Sequence, residues 1–233
     1  MEQTPRAATV RVLEAVPGLV HGFEQRLGRD GETRAGSRRR MTEALAGKGR
    51  LLLLRQVHGV AIHRAPWDGL PEGDAAITAR PGLIVGIETA DCLPVLLVDP
   101  RRRVAAGVHA GWRGTAAGIA RKTLDALVAE GSRPEDILAA LGPGIGACCY
   151  EVGPELVAPF GPGGEDFFTP GPGDRLRLDV RAANFRQLRA GGVPEAQIES
   201  VAECTFHDAD RYHSYRREGA GGGRMISYVG FTE

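Results

Sequence analysis

Three side chains that can bind a metal, His58, Cys92 and His109, each lie where an apolar, strand-like run gives way to turn-forming residues. The ends of strands can hold side chains rigidly in a shared cleft, which is how active sites are commonly built. Two imidazoles and one thiolate form a three-ligand set for zinc with an open fourth position, as in catalytic zinc sites. The sequence therefore predicts a catalytic metal site. The alternative is a small core cysteine and two unrelated, hydrogen-bonded histidines.

Residues beside His109 could bind an anionic substrate. Trp112 and Arg113 directly precede a helix predicted over 115–130, and the free N–H groups at a helix N-terminus attract anions. Arg113 could add a charged contact to phosphate, although a surface salt bridge is the alternative. Asp91, next to Cys92, could carry a proton or could simply form the turn.

Two further segments could contact a ligand. Gly142 opens a glycine-rich turn after a predicted strand, and glycine lets the backbone approach a ligand closely. Arg216 and Arg217 follow two tyrosines near the C-terminus, where aromatic rings could stack on a base and arginines could hold an anion. A solvated, charged turn is the alternative for this second segment.

Composition excludes several classes of function. The 233-residue chain is 42% hydrophobic and 25% charged, as in ordinary globular proteins, and its 29 Lys+Arg balance 29 Asp+Glu. This balance gives no electrostatic reason to expect nucleic acid or an anionic membrane as a partner. Lys48 and Lys122 are the only lysines, and neither lies in a phosphate-binding loop of the Walker type. The sequence does not indicate an oligomeric state.

The expected location is the cytoplasm. No apolar run approaches the roughly 20 residues of a membrane span, and the N-terminal residues lack the apolar stretch of a signal peptide. Four cysteines in a chain of this length do not suggest a secreted disulfide framework.

Short β-branched apolar runs outnumber helical patterns, which predicts an α+β protein with mixed, largely antiparallel sheets. Strands are predicted at 8–13, 51–54, 60–63, 83–87, 94–98, 104–108, 137–141, 175–180 and 198–202. Helices are predicted at 37–46, 115–130, 154–159 and from an Asp179 cap to Leu188. The Gly- and Pro-rich stretch 160–173 is interpreted as a surface loop, so residues 1–233 are expected to form one domain.

Six motifs occur in an order that resembles one protein family. They are Gln56-Val-His-Gly, Thr89-Ala-Asp-Cys-Leu-Pro, His109-Ala-Gly-Trp-Arg-Gly, Gly142-Pro-Gly-Ile, Leu178-Asp-Val and Ser214-Tyr-Arg-Arg. The chain resembles the laccase-domain proteins, formerly called multicopper polyphenol oxidases and now associated with purine nucleoside phosphorylase activity; some members are called peptidoglycan-editing factors. The match covers nearly the whole chain, and His-Ala-Gly-Trp-Arg-Gly is distinctive by itself.

The resemblance implies a fold, a cofactor and an activity. The fold would be layered α/β/β/α around two central sheets, with zinc bound by His58, Cys92 and His109. The activity would be phosphorolysis of adenosine, inosine, guanosine and methylthioadenosine, with adenosine deamination as a companion activity. The expected partners are therefore purine nucleosides and phosphate. The segment 23–36 departs from the family's Gly-Phe-Ser-Thr-Arg pattern, which leaves the preferred purine open.

Two other enzyme classes and a non-enzymatic binding module remain as alternatives. Copper-dependent polyphenol oxidation is disfavoured, because multicopper sites need His-X-His pairs and none of the six histidines forms one. A metal-free cysteine hydrolase could use Cys92 as its nucleophile with His109 or His58 as base. The chain also lacks the His-X-Glu and Cys-X-X-Cys pattern of zinc nucleobase deaminases, so deamination would need another proton carrier, for which Asp91 is the hypothesis.

Overall fold

The computed structural model describes residues 6–26 and 33–232. The strands in these ranges are β1 (Ala7–Ala8), β2 (Leu19–Glu24), β3 (Arg50–Leu52), β4 (Ile62–Arg64), β5 (Ala75–Thr78), β6 (Leu83–Thr89), β7 (Leu93–Asp99), β8 (Val104–Ala110), β9 (Leu138–Leu141), β10 (Glu151–Val152), β11 (Phe168–Pro170), β12 (Leu176–Leu178), β13 (Ile198–Ser200) and β14 (Met225–Phe231). The α-helices are α1 (Arg11–Glu14), α2 (Arg34–Leu45), α3 (Trp112–Ala116), α4 (Ile119–Ala129), α5 (Val180–Ala190) and α6 (Tyr215–Glu218).

The strands form two large sheets and one small sheet. The five-stranded sheet has the order β1-β2-β14-β6-β3, the six-stranded sheet has the order β13-β9-β7-β8-β5-β4, and β10-β12-β11 form the small sheet. Three pairs are parallel, namely β3 with β6, β4 with β5, and β9 with β13, and the other pairs are antiparallel. The prediction of mixed, largely antiparallel sheets is confirmed.

The two large sheets pack face to face, and helices cover their outer faces. Successive side chains of the fully buried strand β7 point to opposite faces of the sheet and show this directly. Leu96 and Val98 pack against the five-stranded sheet, whereas Val95 and Leu97 pack against α4 and α5. On the opposite side, α2 covers the five-stranded sheet with Met41 and other apolar residues. The layers are thus α/β/β/α, as predicted, and the fold class is α+β.

Several local predictions were wrong. The segment predicted as strand 8–13 contains α1, and the segment predicted as helix 154–159 forms 3-10 turns. The long helix predicted over 115–130 is divided into α3 and α4, because Gly118 adopts a left-handed φ of 77° between them. The Asp179 cap is confirmed: its carboxylate accepts a hydrogen bond from the Ala182 N–H at 2.8 Å.

Five strands were not predicted, and two of them matter for the site. They are β2, β5, β10, β11 and β14. β14 lies in the middle of the five-stranded sheet, and β5 pairs with β8 beside His109. No helix in the described ranges is long and apolar enough to cross a lipid bilayer. A single domain over 1–233 stays a prediction.

Candidate active site

The three predicted metal ligands meet. The ligand atoms of His58, Cys92 and His109 all lie within 4.8 Å of one another. Cys92 Sγ lies 3.9 Å from His58 Nε2, and the two imidazole rings are 4.8 Å apart between centroids at an interplanar angle of 72°. The structure thus contains a candidate metal site formed by residues from three separate segments.

The sheet topology explains why they meet. The turn at 90–92 carries the chain from β6 in one large sheet to β7 in the other, and Cys92 is its last residue. β7 pairs with β8 so that Pro94 lies opposite His109, close to the end of both strands. His58 lies in the loop between β3 and β4, the strands at the edges of the two sheets. The site therefore lies where the two sheets meet.

Asp74 organises the site, although nothing in the sequence distinguished it. Its buried carboxylate accepts a hydrogen bond from His109 Nδ1 at 2.8 Å. The same carboxylate accepts the backbone N–H groups of Val57, His58 and Gly59 at 3.3, 2.9 and 2.7 Å. These bonds stabilise the loop at His58, whose left-handed φ of 61° costs about 1–2 kcal/mol in a non-glycine residue.

The hydrogen bond from His109 to Asp74 also defines which nitrogen of His109 is available. Burial would raise the pKa of Asp74, but the donors His109, Gly59 and His58 outweigh burial and lower it. An ionised carboxylate only accepts hydrogen bonds, so Nδ1 of His109 carries the proton and Nε2 is left as a ligand atom. A carboxylate behind a histidine is the usual second layer of a zinc site.

The residues present fit a zinc-type ion. Tetrahedral zinc bonds imply separations of about 3.3–3.6 Å between such ligand atoms, so the observed spacing needs only small side-chain rotations. Gly111 leaves the necessary space: a Cβ there would lie 3.0 Å from His58 Cδ2 and 3.1 Å from Cys92 Sγ.

Cys92 and His109 form a charged pair when no metal is bound. Burial would raise the pKa of the Cys92 thiol, but His109 and His58 outweigh burial and lower it to about 6. Burial would lower the pKa of His109, but Cys92 and Asp74 outweigh burial and raise it to about 9. At neutral pH the thiol is therefore a thiolate, the form that binds metals and acts as a nucleophile.

A cavity of about 520 Å³ opens over the three ligands, a size typical of small-molecule sites. Its walls include four residues predicted from the sequence: Asp91, Trp112, Arg113 and Arg216. Two more wall residues, Tyr215 and Arg224, belong to the C-terminal segment that was predicted to stack on a base and hold an anion. Other polar and aromatic residues of the walls were not predicted: Arg34, Gln56, Glu88 and Tyr150. Arg34 belongs to the divergent segment 23–36, of which residues 27–32 lie outside the described part of the chain.

The arginines give the cavity a positive character. Arg113 stacks on Trp112 at 4.4 Å, and within residues 6–26 and 33–232 it forms no ion pair. Arg216 lies over the Tyr150 ring at 5.4 Å and donates to the Glu151 carbonyl. A neutral carbonyl does not compensate the positive charge of the Arg216 guanidinium. The walls are therefore suited to an anion.

Asp91 is already occupied by hydrogen bonds. One carboxylate oxygen accepts from Thr205 Oγ1 at 2.7 Å, and the other accepts from Ser214 Oγ at 3.0 Å and from Arg216 N–H at 2.7 Å. These contacts fix the turn that carries Cys92 against the segment that carries Arg216. They favour a positioning role for Asp91 over a proton-carrying role.

Two predicted substrate contacts lie elsewhere, and the predicted helix N-terminus differs from the prediction. Gly142 is buried outside the cavity, where a Cβ would lie 2.3 Å from Phe23. Arg217 points away from the cavity and donates to the carbonyls of Thr205, Phe206 and Tyr212. The helix that begins at the cavity is the five-residue α3 rather than the long helix predicted over 115–130.

Comparisons with known proteins identify the family of this chain. A family model described as "Multi-copper polyphenol oxidoreductase laccase" matches residues 24–232. A Deinococcus radiodurans protein named "Purine nucleoside phosphorylase" is 41% identical over 177 residues, which is 76% of this chain and 68% of that protein. A protein named "Adenosine deaminase RL5", from an unknown prokaryotic organism, is 37% identical over 160 residues, which is 67% of this chain and 61% of that protein.

A solved structure has the same architecture. The crystal structure of YlmD from Geobacillus stearothermophilus superposes with a TM-score of 0.84 at 30% identity, over 94% of this chain and 93% of that one. The fold, the order of the motifs and the family match lead to one conclusion: this chain belongs to the multi-copper polyphenol oxidoreductase laccase family, the laccase-domain proteins.

Proposed function

We propose that this chain is a zinc-dependent purine nucleoside phosphorylase that acts on adenosine, inosine, guanosine and methylthioadenosine, with an accompanying adenosine deaminase activity. The observation that carries the proposal is the meeting of His58, Cys92 and His109 at the base of a cavity lined with arginines. The printed names of the relatives supply the two activities.

The three ligands would hold zinc, with the fourth position facing the cavity. Asp74 presents Nε2 of His109, and the low pKa of Cys92 supplies a thiolate at neutral pH. When bound, zinc supplies Lewis-acid chemistry, polarising a phosphate or water oxygen. Copper is the less favoured metal, because multicopper sites need His-X-His pairs and the sequence has none.

The arginines would bind the second substrate. In phosphorolysis a phosphate oxygen forms a bond to the anomeric carbon while the bond to the purine nitrogen breaks, and the purine takes up a proton. Arg113 and Arg216 line the cavity with uncompensated charge, so they would hold the phosphate close to the sugar. Arg224 lines the same cavity and donates to the Gly222 and Gly223 carbonyls.

An aromatic ring is available for the purine. Tyr215 lines the cavity with 54% of its surface exposed, and Arg224 lies 5.7 Å from the centre of its ring. A flat exposed ring of this kind stacks on any purine with little discrimination. Such stacking would suit a site that accepts several nucleosides.

Two cavity residues bear on proton transfer. Asp91 was the hypothesis, but its hydrogen bonds to Thr205 and Ser214 make it a positioning residue in this proposal. Tyr150 also lines the cavity, and burial raises the pKa of its hydroxyl to about 12. The hydroxyl therefore stays protonated at neutral pH, so in proton transfer it could only give up a proton.

One observation favours a second function. The thiolate of Cys92 beside the protonated His109 is the pair that a metal-free cysteine hydrolase uses. Zinc content separates the two functions. Stoichiometric zinc in the purified protein, lost in Cys92→Ala, would count against the hydrolase.

The direct test is an assay of inosine with zinc-loaded protein, with and without inorganic phosphate. We expect hypoxanthine and ribose 1-phosphate to form only when phosphate is present. Hydrolysis to free ribose at the same rate without phosphate, or no ribose 1-phosphate from fully zinc-loaded protein, would refute the phosphorylase. Adenosine tested in the same way, with inosine as the product monitored, tests the deaminase activity separately.

A further inference from the structure

A second group of metal-binding side chains lies outside the cavity. It consists of Cys148, Cys149, Cys204 and His207, whose ligand atoms all lie within 4.8 Å of one another. Cys148 and His207 are exposed, Cys149 and Cys204 are half-buried, and none of the four lines the cavity over His58 and His109. All four cysteines of the chain are free in the structure, so these thiols are not used in a disulfide.

The imidazole of His207 lies between the two adjacent thiols. Its Nδ1 is 3.5 Å from Cys148 Sγ, and its Nε2 is 3.2 Å from Cys149 Sγ. Tetrahedral zinc implies separations of about 3.6 Å between sulfur and nitrogen ligands and about 3.8 Å between sulfur ligands. Only one nitrogen of the His207 ring can bind the ion. The ring would rotate to present that nitrogen, and the sulfur that now contacts the other nitrogen would bind the ion instead.

Backbone contacts hold the turns that carry the ligands. The N–H of Gly146 donates to Cys204 Sγ at 3.2 Å, as hydrogen-bond partners behind metal ligands commonly do. The two turns that carry the ligands are also joined directly, because Thr205 N–H donates to the Gly144 carbonyl at 3.1 Å. The half-buried Arg181 lies beside them and donates to the Glu203 carbonyl at 3.2 Å. The cluster is therefore held in place by contacts that do not depend on a metal.

We propose that the chain binds a second zinc ion, in a structural site whose four ligands are Cys148, Cys149, Cys204 and His207. Three sulfurs and one nitrogen make a closed Cys3His set, which leaves no position for a substrate. This distinguishes the site from the three-ligand group at His58, and the proposal does not depend on the phosphorylase activity.

The site would clamp one wall of the cavity. Cys149 directly precedes Tyr150, whose ring lines the cavity beneath Arg216. On the other side, Cys204 directly precedes Thr205, which donates to Asp91. A metal that joins the two turns would therefore stabilise both segments from behind, without touching the substrate.

The test is zinc content measured in a Cys92→Ser background, which disables the first site. We expect about two zinc ions per chain in the unaltered protein and about one in Cys92→Ser. Adding Cys148→Ser or His207→Gln should weaken the remaining site at least about tenfold, because each removes a ligand. Both side chains are exposed, so the fold should be retained, and circular dichroism checks this. His63→Gln, at a half-buried imidazole bonded to the Glu72 carbonyl, is the matched control and should keep its zinc.

Two further readouts make the result decisive. Cobalt loaded into Cys92→Ser should show a thiolate-to-metal charge-transfer band that Cys148→Ser weakens. A chelator should lower the melting temperature of Cys92→Ser but not that of Cys92→Ser/Cys148→Ser. No zinc in reduced Cys92→Ser, or a zinc content and melting temperature that Cys148→Ser and His207→Gln leave unchanged, would overturn the second site. A disulfide among the three thiols in protein purified under reducing conditions would overturn it as well.

Discussion

The buried carboxylate of Asp74 lies 2.8 Å from Nδ1 of His109, and it also holds the backbone of the loop that carries His58. One side chain thus positions two of the three ligands. Because the third ligand, Cys92, lies in a turn anchored by Asp91, the geometry of the candidate metal site depends on two carboxylates that are not ligands themselves.

Replacement of Asp74 by asparagine should weaken zinc binding. An amide removes the negative charge behind His109 and can present an N–H group to it, so we expect zinc affinity to fall about 10- to 100-fold. Competition with a chromogenic chelator measures the change. Asp99→Asn is the matched control, because Asp99 is equally buried and accepts backbone N–H groups, but at the other end of β7. Equal affinities in Asp74→Asn and the unaltered protein would contradict the assigned role.

Alanine at Gly111 should obstruct the metal without breaking the fold. Its φ of −70° is ordinary for alanine, but the new Cβ would press on His58 and Cys92. Overpacking of this size costs about 1–3 kcal/mol, which we expect to appear mainly as weaker zinc binding. Gly47→Ala, where a Cβ would meet nothing within 4 Å, is the control. Zinc affinity that stays the same in Gly111→Ala would show that the ion does not lie between these side chains.

Removal of the Arg113 guanidinium should affect phosphate far more than nucleoside. A hydrogen bond to a charged group contributes about 1.5–3 kcal/mol, so Arg113→Ala should raise the KM for phosphate about 10- to 150-fold. The KM for inosine should change much less, since it is the phosphate that this side chain contacts in the proposal. Arg101→Ala, at an exposed arginine paired with Asp136, provides the comparison. A uniform rise in both KM values would indicate a structural effect instead.

Glu88 should make the stability of the protein depend on pH in the acidic range. Burial would raise its pKa, but the hydrogen bonds from Arg38 and Arg34 outweigh burial and lower it. Because the folded pKa of Glu88 is below its unfolded value, this stabilisation is present above the ordinary glutamate pKa of 4.5 and is lost as the pH falls through the folded pKa. Glu88→Gln should therefore lower the free energy of unfolding by about 1–3 kcal/mol at neutral pH, a range that allows for solvent screening at the partly exposed arginines. In acid the loss should be much smaller.

Denaturant unfolding of both proteins at several pH values between neutral and strongly acidic measures this difference. Glu135→Gln should show a much smaller pH-dependent change, because Glu135 is fully exposed and its pairing with Arg133 is screened by solvent. If the stability difference for Glu88→Gln instead widened as the pH fell, the direction of the pKa shift would be wrong.

The sequence predicted the three ligands because each lies in a distinctive motif beside turn-forming residues. It did not reveal Asp74, because Asp74 precedes β5, a short strand whose pairing with β8 depends on the tertiary structure. The same limit applies to β14, which follows a glycine-rich loop and becomes a central strand only through its two neighbours. Long-range pairing of this kind leaves little local pattern.

The errors among the predicted substrate contacts have a similar origin. Arg216 and Arg217 are adjacent, but their side chains point in different directions, and only Arg216 reaches the cavity. Residue type suggested the same role for both. The break in the helix at Gly118 likewise depends on a backbone conformation that glycine permits but does not require.

The metal held by His58, Cys92 and His109 should be needed for phosphorolysis. The measurement that tests this is ribose 1-phosphate formation from inosine and phosphate by protein stripped of metal and then reloaded with zinc. We expect activity to be lost on stripping and to return in proportion to the zinc bound. Cys92→Ser should stay inactive after reloading, whereas His63→Gln should behave like the unaltered protein. Full activity in the stripped protein, or in Cys92→Ser, would contradict this expectation.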